Sequence, residues 1–527
     1  MAQTVAVGSV AFLWLLAEPL LSGGSAGADK VRRDTIRIVR IAGLAVAILA
    51  VVRLWVQLAA MVGAGIPLER AVGAGFVLAW TLQGTCGAAL AILAGRVSGH
   101  GNHRVLILLA LGVLAGTIAT SHAAGRIEDR SWLFLATTLH QTGAAVWVGG
   151  LPALMLALGT MSDRAALAFI GRRYSVMALS GVAALLIGAG VFAVKYIGSN
   201  DALYGTPYGF MSGAKLVLFL MIAGLGAANF FLVRRLNRDP STPILRFRRF
   251  VEVEFGLAIG ALLAASSLTS VPPGIDLSAD RVTWQEIVDR NWPLKPTWTS
   301  PARDQLVLSQ LRSELEDRGA DDRALALVPG SGVRLANNEA DKLWSAFNHN
   351  WAGVFVFVGG LLALGKHFGF RRGENWPLVF LGLAVFLFIR SDADAWPLGQ
   401  IGFWESFRDP EMLQHRAVLP LIVAIGLFER RVQTGRLTAP WATYVFPSMC
   451  IVGGLVLLAH SHSLDDSKEV LLIEMNHTLI AILGLTAGWA RWLELRCEDS
   501  AVKRVSAWIW PIGLTLVGAL LIAYREM

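Results

Sequence analysis

Long apolar runs alternate with short polar connections along most of the chain. A helix needs about 20 mostly apolar residues to cross a bilayer, so runs of that length are typical of transmembrane spans. Fourteen runs meet or approach this length: residues 4–22, 37–63, 71–96, 104–122, 132–158, 174–198, 207–236, 248–271, 349–366, 374–391, 413–429, 439–460, 469–491 and 505–524. The pattern predicts an all-α fold, a polytopic transmembrane helix bundle with about 14 spans.

One long polar stretch divides the spans into two groups. Residues 1–271 hold eight spans and residues 349–527 hold six, whereas residues 272–348 mix acidic and basic side chains. Within that stretch, residues 303–318 have helical periodicity. We therefore expect an eight-span half and a six-span half, joined by a periplasmic linker with a short amphipathic helix that lies on the membrane surface.

The basic residues indicate the orientation of the spans. Lys and Arg concentrate in alternate connections, for example residues 30–40, 164–173 and 234–249. Because Lys and Arg resist translocation, these connections are expected to face the cytoplasm, with both termini and the linker on the opposite side. The first run lacks a basic leading segment and contains Glu18, so it is expected to stay as a helix and not to be cleaved as a signal peptide.

Composition narrows the function classes. The chain is 55% hydrophobic and only 16% charged, which excludes a disordered or disulfide-stapled protein. Its 46 Lys and Arg flank apolar runs, so no nucleic-acid partner is expected. No P-loop is found, so no nucleotide is expected, and nothing indicates an enzyme. Three scattered cysteines, Cys86, Cys450 and Cys497, form no zinc or redox motif.

The distribution of histidines carries the candidate chemistry. Seven of the ten fall on the external side or in the outer half of the predicted membrane: His122, His140, His349, His415, His460, His462 and His477. Each one could instead cap a helix or bond to lipid headgroups. His140 is the deepest, ~13 Å below the outer interface at 1.5 Å per residue. An ionisable residue at that depth usually faces the bundle interior and has a function, although a helix–helix hydrogen bond would also satisfy it.

The two halves contain similar histidine patterns. His122 ends the span before His140, and the two either share one ion or form successive stations. In the second half His460 and His462 end one span, and Met475 and His477 lie in the next, while His349 and His415 begin two more. Four helices could therefore bring imidazoles together on the external side. Imidazole with an occasional thioether is typical of copper, zinc, nickel or haem iron, so these eight residues are our candidate metal ligands.

Acidic residues lie between two of these spans, in the loop that contains Asp392 and Asp394 and continues through Glu405, Asp409 and Glu411. This loop is either simply solvated or forms a vestibule that attracts cations to the site.

Several segments of the first half resemble the copper-resistance protein D (CopD) family of bacterial inner-membrane proteins. They are SHAA at residues 121–124, LHQTGAAVWVGGL at residues 139–151, RRYS at residues 172–175, and Tyr208-Gly209 with Lys215. The resemblance covers about half of the chain, and the second half is similar to an extension of longer members. It implies copper as the metal, a bacterial inner-membrane location and a separate periplasmic copper chaperone.

These observations lead to three alternatives. The first is a copper transport and homeostasis protein that takes copper from the periplasmic face through histidine sites. The second is a membrane b-type cytochrome, in which two histidines would ligate haem. The third is an assembly subunit that holds copper without transporting it.

Overall fold

The structure is a computed structural model of the 527-residue chain, and it describes residues 1–96, 103–269, 271–292, 295–318, 327–331, 335–459 and 468–526. It is 80% helical, with no strand in these ranges and a single isolated bridge between Ala395 and Ile401. Within the same described ranges, twelve helices are long and apolar enough to cross a membrane. The prediction of an all-α polytopic bundle is confirmed.

The chain forms two compact units, Met1–Ala279 and Asp280–Met527. The apolar helices of the first unit are α1 Ala2–Ser22, α2 Ala28–Gly63, α3 Gly75–Leu93, α4 His103–Ala119, α5 Arg130–Thr160, α6 Arg164–Ile197, α7 Pro207–Arg238 and α8 Leu245–Ser267. The helix α4 is shorter than the others in this unit, yet it occupies the position of the fourth predicted span.

The second unit begins with two short helices, α9 Trp284–Asn291 and α10 Val307–Asp317. Its apolar helices are α11 Glu339–His367, α12 Leu378–Arg390, α13 Met412–Gln433, α14 Pro440–Ala459, α15 Lys468–Arg496 and α16 Ser500–Ile522. The helix α12 is again short and stands at the tenth predicted span. Each of the fourteen predicted runs therefore overlaps one apolar helix.

The predicted linker contains more helix than its sequence pattern indicated. The amphipathic segment forms α10, and α9 is an additional helix that begins with a capping box between Thr283 and Glu286. The boundary between the two units falls after Ala279, inside the expected linker, and α11 begins at Glu339 because Asn338 and Asp341 cap its first turn. The ninth predicted span therefore starts ten residues later than the helix that contains it.

Glycines allow α1 and α5 to approach closely. A Cβ atom on Gly149 would lie 1.9 Å from the Thr4 carbonyl oxygen, and one on Gly8 would lie 2.2 Å from the Ala145 carbonyl oxygen. Any side chain at either position would therefore separate the two backbones. This contact fixes the middle of α5, between one and three turns beyond His140.

The buried carboxylate of Glu18 in the first unit is paired. Glu18, which interrupts the first apolar run, accepts a hydrogen bond from Arg32 Nε at 2.7 Å. His103 Nε2 lies 3.4 Å from the same carboxylate. A buried carboxylate needs such partners because it loses its hydration, and the pair accounts for an acidic side chain within α1.

Candidate metal-binding sites

His140 lies where α5 packs tightly on α6. A Cβ atom on Gly188 of α6 would lie 2.5 Å from the Ala136 carbonyl oxygen and 2.9 Å from the His140 Cβ, so the helices touch at this point. This close approach brings His140 Nδ1 within 3.2 Å of the Leu185 carbonyl oxygen. Because a carbonyl oxygen only accepts, Nδ1 carries the proton and donates it, which leaves Nε2 with a lone pair for a metal ion.

A charged side chain lies in the surroundings of His140. Lys215 of α7 is close enough to interact electrostatically with the imidazole. A lysine ammonium group opposes a cation at the same place. The residue that the resemblance singled out as part of the family pattern therefore lies at the candidate site, but it does not add a metal ligand there.

His122 and His140 are separated along a row of aromatic rings. His140 contacts Phe192, with ring centroids 5.4 Å apart, and Phe192 stacks on Tyr196 at 5.3 Å. Tyr196 in turn contacts His122 at 6.4 Å. Phe192 and Tyr196 are one turn apart on α6. His140 and His122 therefore contact different turns of that helix. This arrangement favours successive stations over one shared ion.

His122 is also held by the backbone. Its Nε2 lies 3.0 Å from the Leu268 carbonyl oxygen, just beyond the end of α8. The nitrogen donates this hydrogen bond, and it satisfies one of the carbonyls that a helix end leaves without a partner. Nδ1 is the atom that His122 can offer to a metal.

In the second unit the structure brings two of the predicted ligands together. The ring centroids of His349 on α11 and His477 on α15 are 6.2 Å apart. Tyr524, just after α16, stacks on His349 at 4.0 Å and lies 6.1 Å from His477. We call His349, His477 and Tyr524 the outer ring cluster.

Close packing of α11 and α16 positions the outer ring cluster. A Cβ atom on Gly353 would lie 2.5 Å from the backbone nitrogen of Ile522, and one on Gly518 would lie 2.3 Å from that of Phe357. The fully buried Asn350 then donates hydrogen bonds to the carbonyl oxygens of Leu521 and Tyr524, at 3.2 and 2.9 Å. These bonds cap the end of α16 and hold Tyr524 over His349.

The hydrogen bonds of His349 fix its tautomer. Nδ1 donates to the Ser345 carbonyl oxygen at 2.9 Å, one turn earlier on α11, so Nε2 carries the lone pair. Burial, with the Glu526 carboxylate beside it, raises the pKa of the Tyr524 phenol. The phenol therefore stays neutral at physiological pH, and the cluster presents two imidazoles and one hydroxyl group.

His415 has a separate partner. Its Nδ1 lies 2.8 Å from an Asp392 carboxylate oxygen, and that carboxylate also accepts a hydrogen bond from Ser391. His415 is nevertheless close enough to His349 for an electrostatic interaction. The partner of its Nδ1 atom is therefore a carboxylate and not another imidazole.

The remaining predicted ligands are placed only in part. Met475 is buried on α15, two residues before His477, and side chains so spaced on a helix point in different directions. His460 and His462 lie outside the described residues. Within the ranges that the structure describes, no group of three or more His, Cys, Asp or Glu side chains is placed to hold a metal ion. The pair His349 and His477 is the strongest convergence of predicted ligands.

Tyr524 and Asn350 were missed by the sequence reasoning. Tyr524 follows the last apolar run with no motif around it, and Asn350 stood beside His349 in a polar segment that was interpreted as the start of a span. An amide inside an apolar helix is costly unless it is bonded, and this was the only signal that could have identified Asn350.

Comparison with known proteins identifies the class. The family model described as Copper resistance protein D (CopD) matches residues 168–268, which cover α6, α7 and α8. The matched residues begin after the segment 139–151 that contains His140. The resemblance to the CopD family is confirmed over these residues, and the chain is a multi-pass membrane protein that carries a region similar to that family.

One curated relative is the "Copper transport protein CutJ" of Bacillus subtilis (strain 168). The two proteins are 31% identical over 185 residues, which are 34% of this chain and 33% of CutJ. The chain thus matches about a third of the length of this relative. No solved structure matches the chain.

Proposed function

We propose that the protein transports copper, and that it takes the ion from the periplasmic face through histidine sites in both units. The family match and the name of the relative support copper as the cargo. The proposed sites are the imidazole of His140 in the first unit and the outer ring cluster in the second. Copper is substrate here, and the protein has no catalytic role.

The distance between His349 and His477 is the observation that carries the proposal. Two imidazoles that bind one ion from opposite sides, with metal–nitrogen bonds of about 2.0 Å, have ring centroids about 6 Å apart. The observed separation is 6.2 Å. This separation supports one ion shared by the two rings, and imidazole nitrogen is a preferred ligand of copper.

The route follows from the proposed orientation. With both termini periplasmic and the protein in a bacterial inner membrane, the histidine sites face the periplasm and receive copper from a separate chaperone. A cation that moves inward gains ~2.3 kcal/mol per charge per 100 mV of membrane potential. That gain can drive uptake without nucleotide hydrolysis.

Haem is less compatible with the same geometry. Bis-imidazole haem requires the macrocycle to lie between the two rings. The macrocycle would lie in the plane midway between the two imidazoles. The Tyr524 ring centroid is 4.0 Å from that of His349 and 6.1 Å from that of His477, so the Tyr524 ring lies close to this plane on its His349 side. A macrocycle there would overlap the Tyr524 ring, whereas a single ion would not.

Copper binding to matched variants tests the proposal. We expect the double variant His349→Ala and His477→Ala to lose the copper that wild type retains after desalting. His367→Ala is the control, because His367 stacks on Trp508 at the other end of α11. The purified wild type should show no Soret band. Copper retention by the double variant equal to that of wild type would refute this site.

Uptake distinguishes transport from holding. Wild-type protein in proteoliposomes should accumulate copper inside the vesicles when the interior is negative. A protein that binds copper with normal stoichiometry but gives no uptake would instead be a copper-holding subunit.

A further inference from the structure

The loop between α12 and α13, residues 391–409, exposes large aromatic side chains and buries an acidic one. We call it the aromatic loop. Trp404 is 79% exposed and Trp396 is 49% exposed, and Phe407 is exposed beside them. The Asp392 side chain, in contrast, is only 7% exposed. In a loop surrounded by water the large aromatic rings would be covered and the carboxylates solvated.

The exposed rings form one patch and are not scattered. Trp404 packs on Phe407 with ring centroids 5.8 Å apart, and both contact Phe403, at 5.0 and 5.4 Å. Phe403 also contacts Trp396 at 6.2 Å. A contiguous apolar patch on a surface indicates that another apolar phase covers it.

The backbone beneath the patch is held firmly. Arg416 of α13 is buried, donates to the Trp396 carbonyl oxygen at 2.6 Å, and lies 5.4 and 5.5 Å from the ring centroids of Phe388 and Phe403. The buried Ser406 donates to the Phe403 carbonyl oxygen at 2.6 Å. The rings are therefore presented outward by a fixed scaffold.

The helices on either side of the aromatic loop also expose apolar side chains. Val385 and Ile389, one turn apart at the end of α12, are exposed, and so is Leu413 at the start of α13. These helices are apolar enough to lie in hydrocarbon, so their exposed side chains face lipid. Tryptophan favours the headgroup level, where its ring is partly buried and its N–H remains hydrated.

We propose that the aromatic loop inserts Trp404, Trp396 and Phe407 into the lipid headgroup region at this end of the bundle, and that it anchors the second unit there. Asp392 does not line an open vestibule in this arrangement, because its side chain is only 7% exposed. Asp392 faces inward to His415, so the anchor holds that pair at the level of the headgroups.

Spin-label accessibility tests the anchor. In a variant with Cys86, Cys450 and Cys497 replaced by serine, a nitroxide is attached at Trp404→Cys, and at Glu339→Cys as the control. Glu339 is 88% exposed at the outer start of α11. In proteoliposomes the collision rate with oxygen, relative to a nickel chelate, should be severalfold higher at Trp404→Cys than at Glu339→Cys.

Two results would overturn the proposal. Equal relative accessibility at both sites would place the loop in water. Protection of Trp404→Cys from both reagents would mean that protein covers the patch. If the cysteine-free variant does not fold, quenching by lipids brominated near the headgroup provides the same test, because Trp404→Phe in the native chain should lose part of the quenchable fluorescence. No loss would also refute the anchor.

Discussion

His140 in the first unit and His349 in the second are both held through Nδ1 by a backbone carbonyl, yet their neighbours differ. His140 faces Phe192 and a lysine charge, whereas His349 faces a second imidazole and a phenol. The family match falls on the first unit, and the convergence of ligands falls on the second. Family resemblance and ligand geometry therefore point to different places, and we infer different roles: passage of the ion at His140 and retention at the outer ring cluster.

The largest effect is expected at His140. His140→Ala should abolish most copper uptake into proteoliposomes while the protein still inserts, because the deepest imidazole of the first unit is lost. Thr138→Ala is the control. Thr138 is exposed on the same helix, and its hydroxyl donates to the Phe134 carbonyl oxygen one turn earlier. Uptake equal to that of wild type in His140→Ala would remove this residue from the route.

Disruption of the contact between α5 and α6 should have the next largest effect. Gly188→Leu should lower both the melting temperature and copper uptake, because the new side chain would clash with the Ala136 carbonyl and with His140. Overpacking of this kind lowers the free energy of unfolding by about 1–3 kcal/mol. Gly190→Leu should behave like wild type, since nothing lies within 4 Å of a Cβ atom there. Equal melting temperatures in detergent for the two variants would show that the close approach does not position His140.

Asn350 tests the second unit separately. Asn350→Ala should destabilise the protein by about 1–3 kcal/mol, because buried carbonyl groups at the end of α16 lose their donor. Tyr524 should then leave His349, and copper retention should fall. Asn291→Ala, an exposed asparagine that bonds to its own helix at Ile287, serves as the control. The melting temperature and the amount of bound copper should both fall in Asn350→Ala. Neither should change in Asn291→Ala.

The smallest effect concerns α9, at the start of the second unit. Hydrogen bonds from the Thr283 backbone and from Lys468 lower the pKa of Glu286 to about 2. Since the folded pKa lies below the ordinary value of 4.5, Glu286 stabilises the fold fully above that pH, and the contribution is lost as the pH falls toward 2. Glu286→Gln should therefore lower the melting temperature slightly at pH 7 and not at pH 2, whereas Glu314→Gln should change neither. A pH-independent difference would exclude this carboxylate as the cause.

Hydropathy was sufficient to predict the helices but not the side-chain neighbours. Apolar runs identify spans because only a long apolar segment is stable inside a bilayer, and every predicted run overlaps an apolar helix. His349 shows the limit: capping at Asn338 starts α11 ten residues earlier, so His349 lies within the helix and not at its start. Which residues meet depends on helix rotation and on contacts such as that of Gly353, and periodicity alone does not specify these. The pairing of His415 with Asp392 was not foreseen for the same reason.

X-ray absorption at the copper edge of the loaded wild-type protein tests the central claim most directly. Our account predicts nitrogen scatterers at about 2.0 Å with the outer-shell pattern of imidazole, and loss of that pattern when His349 and His477 are both replaced by alanine. A spectrum dominated by sulfur at about 2.3 Å, or an imidazole pattern unchanged in the double variant, would contradict it.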